Sequence, residues 1–197
     1  FARNDPADLG LAPYGEDTIR PRAAMAPGTA LSITFSTLRE GLTKPAFWVL
    51  FGTFFVCGAS SGGLMAPHFV PLCSDFGVTA VTAASLLAMM GIFDFFGAIG
   101  AGWLSDRYDN RWLLSWYYAL RGLSLIWLTM SDFSLWELSV FALFFGLDFF
   151  ATLPPTVKIA GQAFGRERAP IALGWIFTGH QLGAGAMAAT AGLSRDA

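Results

Sequence analysis

The sequence predicts an all-α polytopic membrane protein, a bundle of five transmembrane helices. Three observations carry that expectation. Hydrophobic residues make up 54% of the 197 positions and charged residues only 13%, whereas a soluble domain carries about a quarter charged. The charges are also bunched. Neither Pro45 to Ser74 nor Ala169 to Ser194 contains Asp, Glu, Lys or Arg, and each run can cross about 30 Å of hydrocarbon as a helix. Finally, the apolar segments are about twice as long as the ten-residue alternating strands of a membrane barrel and apolar on all sides, which disfavours a β reading.

The elements are taken in chain order. Residues 1–44 are polar, with Pro6, Pro13, Pro21 and Pro27, and read as a loop. Within it, Leu31 to Thr43 has the pattern of a short interfacial helix. Lys44-Pro45 places a proline at a helix start, where its missing N–H costs nothing. The five spans are expected at 45–72, 79–104, 111–130, 135–159 and 170–193, with 194–197 as a polar stub. Ser134-Leu135-Trp136-Glu137 reads as a capping box and Asp109-Asn110 as a cap for the third span. Ala169-Pro170 opens the fifth. Pro67 and Pro71 mark a broken tip of the first span around His68, and Pro154-Pro155 a break near one end of the fourth.

Charge sets orientation and excludes some functions. The net charge is −2, so no basic face points to nucleic acid. Arg3, Arg20, Arg22, Arg39 and Lys44 lead the chain. Arg107 and Arg111 lie between spans two and three, and Lys158, Arg166 and Arg168 between four and five. The alternate loops hold no Lys or Arg, so the positive-inside rule places residues 1–44 in the cytoplasm and the chain in a cell inner membrane. An odd span count, and a start without Met, predict a fragment. Cys57 and Cys73 are about 24 Å apart along one helix, too far to bridge, and read as buried thiols.

The candidate functional residues are ionisable groups inside the spans, where a charge costs at least about 2.5–3.5 kcal/mol. At a helical rise of about 1.5 Å per residue, Asp94, Arg121, Asp148 and His180 each lie about 15 Å above the cytoplasmic end of their span. Gln181 sits beside His180. Four helices therefore bring an ionisable group to the midplane, where secondary transporters bind substrate. Structural alternatives stand beside this: an Asp94–Arg121 pair, a neutral hydrogen-bonded Asp148, and a satisfied core histidine at 180. Gly58/Gly62, Ala98/Gly102, Gly179/Gly183 and Ala184/Ala188 have the four-residue spacing that lets helices approach closely.

The loop Gly102-Trp103-Leu104-Ser105-Asp106-Arg107-Tyr108-Asp109-Asn110-Arg111 resembles the signature G-x-x-x-D-R/K-x-G-x-R/K-R/K of the major facilitator superfamily. Asp109 replaces a Gly, and Trp112 the last basic residue. More widely, the chain is similar to bacterial oxalate:formate antiporters and monocarboxylate transporters. This likeness rests on Asp5-Pro6-Ala7-Asp8-Leu9-Gly10-Leu11, Pro45-Ala46-Phe47-Trp48, Pro154-Pro155-Thr156 and Gly179-His180-Gln181-Leu182-Gly183. It implies that 1–44 is the central loop and the spans are helices seven to eleven of a truncated six-helix half, with helix twelve and the N-terminal half missing. It also implies alternating access to a small organic solute, a monocarboxylate or related anion, often coupled to protons or a counter-ion. By this likeness His180, Gln181, Asp148 and Asp94 are substrate-binding candidates. Asp94, Arg121 and Asp148 are candidates for proton coupling or a charge pair, and Gly102, Asp106, Arg107 and Arg111 form a cytoplasmic gate. Carboxylate carriers of this type hold a cation in helix eight or eleven; here helix eight offers Asp94, and helix eleven His180.

Two other classes compete with a carrier. A membrane-embedded enzyme finds no H-E-x-x-H, no Ser-His-Asp spacing and no metal cluster in the sequence, so no metal, cofactor or catalytic residue is expected. A sensor or scaffold with a transporter-like fold but no flux has the same sequence signature as a carrier.

Overall fold

The structure, a computed structural model, describes residues 9–12, 18 and 29–196, without the side chains of Thr29, Arg166, Arg195 and Asp196. The expected loop over residues 1–28 thus falls largely outside the described residues, as does Ala197. The chain divides into two units, 1–36 and 37–197. The described part of the first holds little beyond the start of α1 (Thr29–Leu42). The second unit carries the apolar helices.

Its elements are helical, with no strand among the described residues. They are α2 (Pro45–Cys57), a π-helical segment (Gly58–Met65), α3 (Ala66–Asp75), α4 (Ala80–Ser105), α5 (Asn110–Met130), α6 (Leu135–Asp148) and α7 (Leu153–Asp196). Three stretches are long and apolar enough to cross a bilayer among the described residues: Pro45–Asp75, Ala80–Ser105 and Leu135–Gly165. The remaining two expected spans coincide with α5 and with the second part of α7.

The caps expected at Asp109 and Ser134 form, and Thr79, not singled out in the sequence, caps α4. Thr79 accepts from the Thr82 N–H at 3.3 Å, and Asp109 accepts from the Arg111 N–H at 2.8 Å. Ser134 accepts from the Glu137 N–H at 3.3 Å. The Glu137 carboxylate reaches past the cap residue to the Asp132 N–H at 2.8 Å.

Three expectations about breaks need correction. The helix does not break at His68: α3 runs through Pro71. The irregularity lies one turn earlier, in the π segment. Gly58-Ala59-Ser60-Ser61-Gly62-Gly63 has few side chains to hold the α register. Ser60 donates to the carbonyls of Val56 (2.9 Å) and Cys57 (3.1 Å), and Ser61 to Cys57 (2.6 Å). Such back-bonding competes with the backbone ladder, and Pro67 removes the N–H that would close the next turn. His68 instead contacts the Ala188 carbonyl at 3.3 Å, tying α3 to α7.

The fourth span breaks earlier than expected. Its helix ends at Asp148 and resumes at Leu153, because Pro154 and Pro155 cannot donate to the turn before them but fit the first turn of a new helix. That new helix breaks at Gly165, whose φ of 76° and ψ of 162° are non-helical, a conformation open to a residue without Cβ. The last helical stretch therefore restarts at 166, ahead of the start expected at Ala169-Pro170.

Glycine notches set the helix contacts. A Cβ on Gly58 would collide with the His180 carbonyl, one on Gly183 with the Phe55 carbonyl, and one on Gly179 would come within 2.7 Å of the Phe51 carbonyl. The first span and the last thus touch backbone to backbone. Gly97 and Gly146 do the same between α4 and α6, against Leu147 and Met90. Gly102 faces open space, so the contact expected at Ala98/Gly102 is made one residue earlier, by Gly97. Two apolar clusters fill the remainder, one around Phe69, Leu138, Phe141 and Phe145 and one around Phe47, Leu50, Phe164 and Ile176. In hydrocarbon such interlocking contributes through van der Waals contact rather than water exclusion.

Candidate functional site

The site is built around the gap between α6 and α7. A helix end leaves carbonyls without partners, and in hydrocarbon no water satisfies them. Here a buried arginine does so. Arg121, on α5 and only 2% exposed, donates through Nη2 to the carbonyls of Asp148 (2.6 Å) and Phe149 (2.8 Å). Its Nε donates to Asp148 Oδ2 at 2.6 Å. Its Nη1 donates to the Cys57 sulfur at 2.9 Å. One guanidinium thus neutralises a buried carboxylate, caps the broken helix and reaches the start of the π segment.

This decides between the pairings left open by the sequence. Arg121 pairs with Asp148, not Asp94. Asp94, half-buried on α4, accepts instead from the Phe150 N–H at 2.9 Å. The gap is therefore held from two sides, its carbonyls by a guanidinium and an amide by a carboxyl oxygen.

The fourth ionisable group approaches the same gap from α7. The His180 ring stacks on Phe177, with centroids 5.0 Å apart and planes at 3°, and meets Phe54 edge-on at 6.3 Å. Its Nδ1 lies 3.4 Å from the Gln181 side-chain oxygen; Gln181 itself is exposed. His180 lines a cavity of about 140 Å³ together with Cys57, Ser61, Phe149, Phe150 and Thr152. Asp94 lines another, of about 250 Å³, with Met65, Met90 and Phe149. Phe149 is common to both.

Cys57, Ser61, Thr152 and Phe177 do not stand out as site residues in the sequence. The signal for the first two is the run of small residues after Cys57, which reads as packing but also gives the π segment, an irregularity frequent at functional sites. Among the described residues no cluster of His, Cys, Asp or Glu could hold a metal.

At the end of the bundle carrying the 106–109 loop, Asp106 forms an ion pair with Lys158, and Lys158 also donates to the Ser105 carbonyl at 2.8 Å. Lys158 holds the exposed Asp106 carboxyl below its usual range, chiefly through that hydrogen-bonded pair. Arg107 lies over the Trp103 ring, 4.0 Å from its centroid. Arg111 lines a separate cavity with Pro45, Thr53 and Tyr118. The four expected gate residues therefore do not form one cluster: Gly102 faces open space, and of the four it is Asp106 that bridges to another helix.

The sequence of these helices finds a match in a known family. The sequence model for the Major Facilitator Superfamily matches residues 49–194. The chain belongs to the Major Facilitator Superfamily. Among relatives, an uncharacterised MFS-type transporter, YcxA of Bacillus subtilis (strain 168), is 34% identical over 152 residues, covering 73% of this chain and 36% of the relative. Monocarboxylate transporter 12-B of Danio rerio is 41% identical over 66 residues, 34% of this chain and 14% of that protein. The chain thus spans about a third of the first relative's length. As a Major Facilitator member it is a membrane protein, and its helices are those of part of a transporter bundle.

Proposed function

We propose that the chain is part of a secondary active carrier that moves a small organic solute, a monocarboxylate or related anion, by alternating access. The observation that supports this best is the convergence of Asp94, Arg121, Asp148 and His180 on the gap at residues 149–152, where two cavities share Phe149. Helix breaks facing a cavity are where such carriers place substrate. The name of the Danio rerio relative favours a monocarboxylate, and a cavity of about 140 Å³ beside His180 suits a small solute.

In this reading His180 and Gln181 contact the anion. Arg121 is consumed by Asp148 and the two carbonyls, so His180 offers the anion a hydrogen-bond donor, with the remainder of the carrier free to supply a cation. Of the two acids proposed for proton coupling, Asp94 is the better placed. A single backbone N–H holds it at the edge of a cavity, whereas Asp148 is bound to a guanidinium. Five spans cross an inner (plasma) membrane with residues 1–44 cytoplasmic, and the lipid bilayer and the N-terminal half of the same carrier complete the assembly.

The test is uptake of labelled short monocarboxylates into proteoliposomes holding the intact protein. His180→Ala should reduce uptake with the unfolding midpoint unchanged, and Asp94→Asn should remove the pH dependence of uptake while leaving exchange. Unchanged kinetics in the His180 variant would remove it from the site. Absence of any flux, with ligand binding retained, would favour a transporter-like sensor; chemical turnover of the solute would favour an enzyme.

A further inference from the structure

Two sets of rings line the cavity beside His180. Phe54 from α2, with Phe177 and His180 from α7, forms the first. Phe54 and Phe177 meet edge-on at 6.2 Å, and the imidazole packs against both. Phe149 and Phe150, in the gap between α6 and α7, form the second, edge-on to each other at 5.5 Å. All five line the same space of about 140 Å³, close to the roughly 150 Å³ apolar cavity that takes up benzene. Of its lining residues, Phe150, Leu153 and Phe177 are 49%, 40% and 44% exposed, whereas Phe54, Cys57, Ser61 and Thr152 are buried. The exposed residues give a solute access and the buried ones form the inner wall. Polar atoms of that wall are already engaged. The Ser61 hydroxyl donates to the Cys57 carbonyl at 2.6 Å, and the Cys57 sulfur accepts from Arg121 at 2.9 Å.

We propose that the solute is an aryl monocarboxylate, its ring between the two sets of phenylalanines and its carboxylate at His180 and Gln181. This rests on the carrier reading above and narrows its substrate. Water finds no partners on phenyl faces, and apolar cavities of this size stay dry. A ring meets other rings at both walls, in the offset and edge-on arrangements that aromatic groups prefer. A short aliphatic acid leaves most of that surface without contact. A polyhydroxylated or doubly charged solute exchanges water for walls with few free polar partners. A quaternary ammonium is the other group that phenyl faces attract, but among the described lining residues no carboxylate stands ready to balance it. Phe150 and Phe177 are then the specificity-determining residues.

The experiment measures displacement of radiolabelled phenylacetate from the intact carrier in lipid nanodiscs. Acetate lacks the ring, cyclohexylacetate carries a saturated ring of similar size, and phenyltrimethylammonium carries the aromatic ring with the opposite charge. Phenylacetate should bind about ten- to a hundredfold more tightly than acetate, the scale of burying one phenyl group. It should exceed cyclohexylacetate by about two- to tenfold, the scale of aromatic pairing. Phe177→Leu and Phe150→Leu keep apolar bulk and delete a ring. Each should shrink the preference over cyclohexylacetate toward parity, with the unfolding midpoint unchanged. Acetate binding as tight as phenylacetate would overturn the proposal, as would tighter binding of phenyltrimethylammonium or an undiminished aromatic preference in both variants. Flux of acetate without displaceable phenylacetate binding would overturn it and leave the carrier reading standing. Saturable phenylacetate binding without flux of any acid would support the ligand class and remove the carrier reading.

Discussion

Removing Arg121 should cost more than removing its ion-pair partner. The guanidinium makes four contacts, to one carboxylate oxygen, two carbonyls and one sulfur. Arg121→Met leaves the Asp148 carboxylate buried and uncompensated, a loss of about 3–5 kcal/mol for a buried pair broken on one side. It also orphans the carbonyls of Asp148 and Phe149, at about 1–3 kcal/mol each. These losses share one location and do not add in full, so about 5 kcal/mol is the expected scale. Asp148→Asn also strands a buried charge, the guanidinium, but keeps both carbonyl contacts, so it should cost less. In the double variant the stranded carboxylate is gone but the carbonyls stay orphaned, so it should lie between the two single variants. The assay is unfolding of the intact carrier by titrated SDS in mixed micelles, followed by circular dichroism and by tryptophan fluorescence. If Arg121→Met unfolds no earlier than Asp148→Asn, the helix-capping contacts contribute nothing and the clamp is only an ion pair.

The remaining predictions concern other joints. Gly58→Ala must push the His180 backbone aside and should destabilise by about 1–3 kcal/mol through overpacking, whereas Gly100→Ala, facing open space, should be neutral or slightly stabilising in the same SDS titration. Glu40 is hydrogen-bonded first by Lys44 and then by Arg168, which hold its carboxyl below the usual range. A depressed folded value means its contribution is fully present above the ordinary glutamate range near about 4.3 and is lost as pH falls through the folded value. Hydrogen exchange at 163–168 should therefore quicken on acidification below that range in the native chain, and Glu40→Gln should exchange quickly at neutral pH as well; exchange insensitive to both changes would refute the link. Asp106→Asn should loosen the Lys158 contact, read as faster labelling of a cysteine introduced at Asp109, and that difference should shrink at high salt because the pair is exposed.

Much of the gap's position is written locally. Pro154-Pro155 signals that a helix must restart there, and Ser134 and Asp109 mark starts that the structure keeps, since a cap acts within one turn. Helix rotation is not legible in the same way. At a depth of about 15 Å, Asp94 and Asp148 are equivalent partners for Arg121. The pairing falls to Asp148 because α5 turns Arg121 toward the end of α6, where two unpaired carbonyls add to the attraction. Pro67 and Pro71 mislead for a related reason. Pro67 lies in the first turn of α3, where its missing N–H costs little, and α3 runs on through Pro71, so the irregularity falls in the small-residue π segment rather than at His68.

Hydropathy, caps and prolines act within a few residues of themselves. The order of residues alone is therefore enough to specify a bundle of apolar helices, the starts of most of them, and the presence of charges inside them. Which charges meet depends on how the helices face one another, and that is a property of the packed bundle. Glycine notches bring backbones together and fix each helix against its neighbours. The resulting rotations join Arg121 to Asp148, leave Asp94 on a backbone amide, and put Phe149 in the lining of both the Asp94 and the His180 cavities.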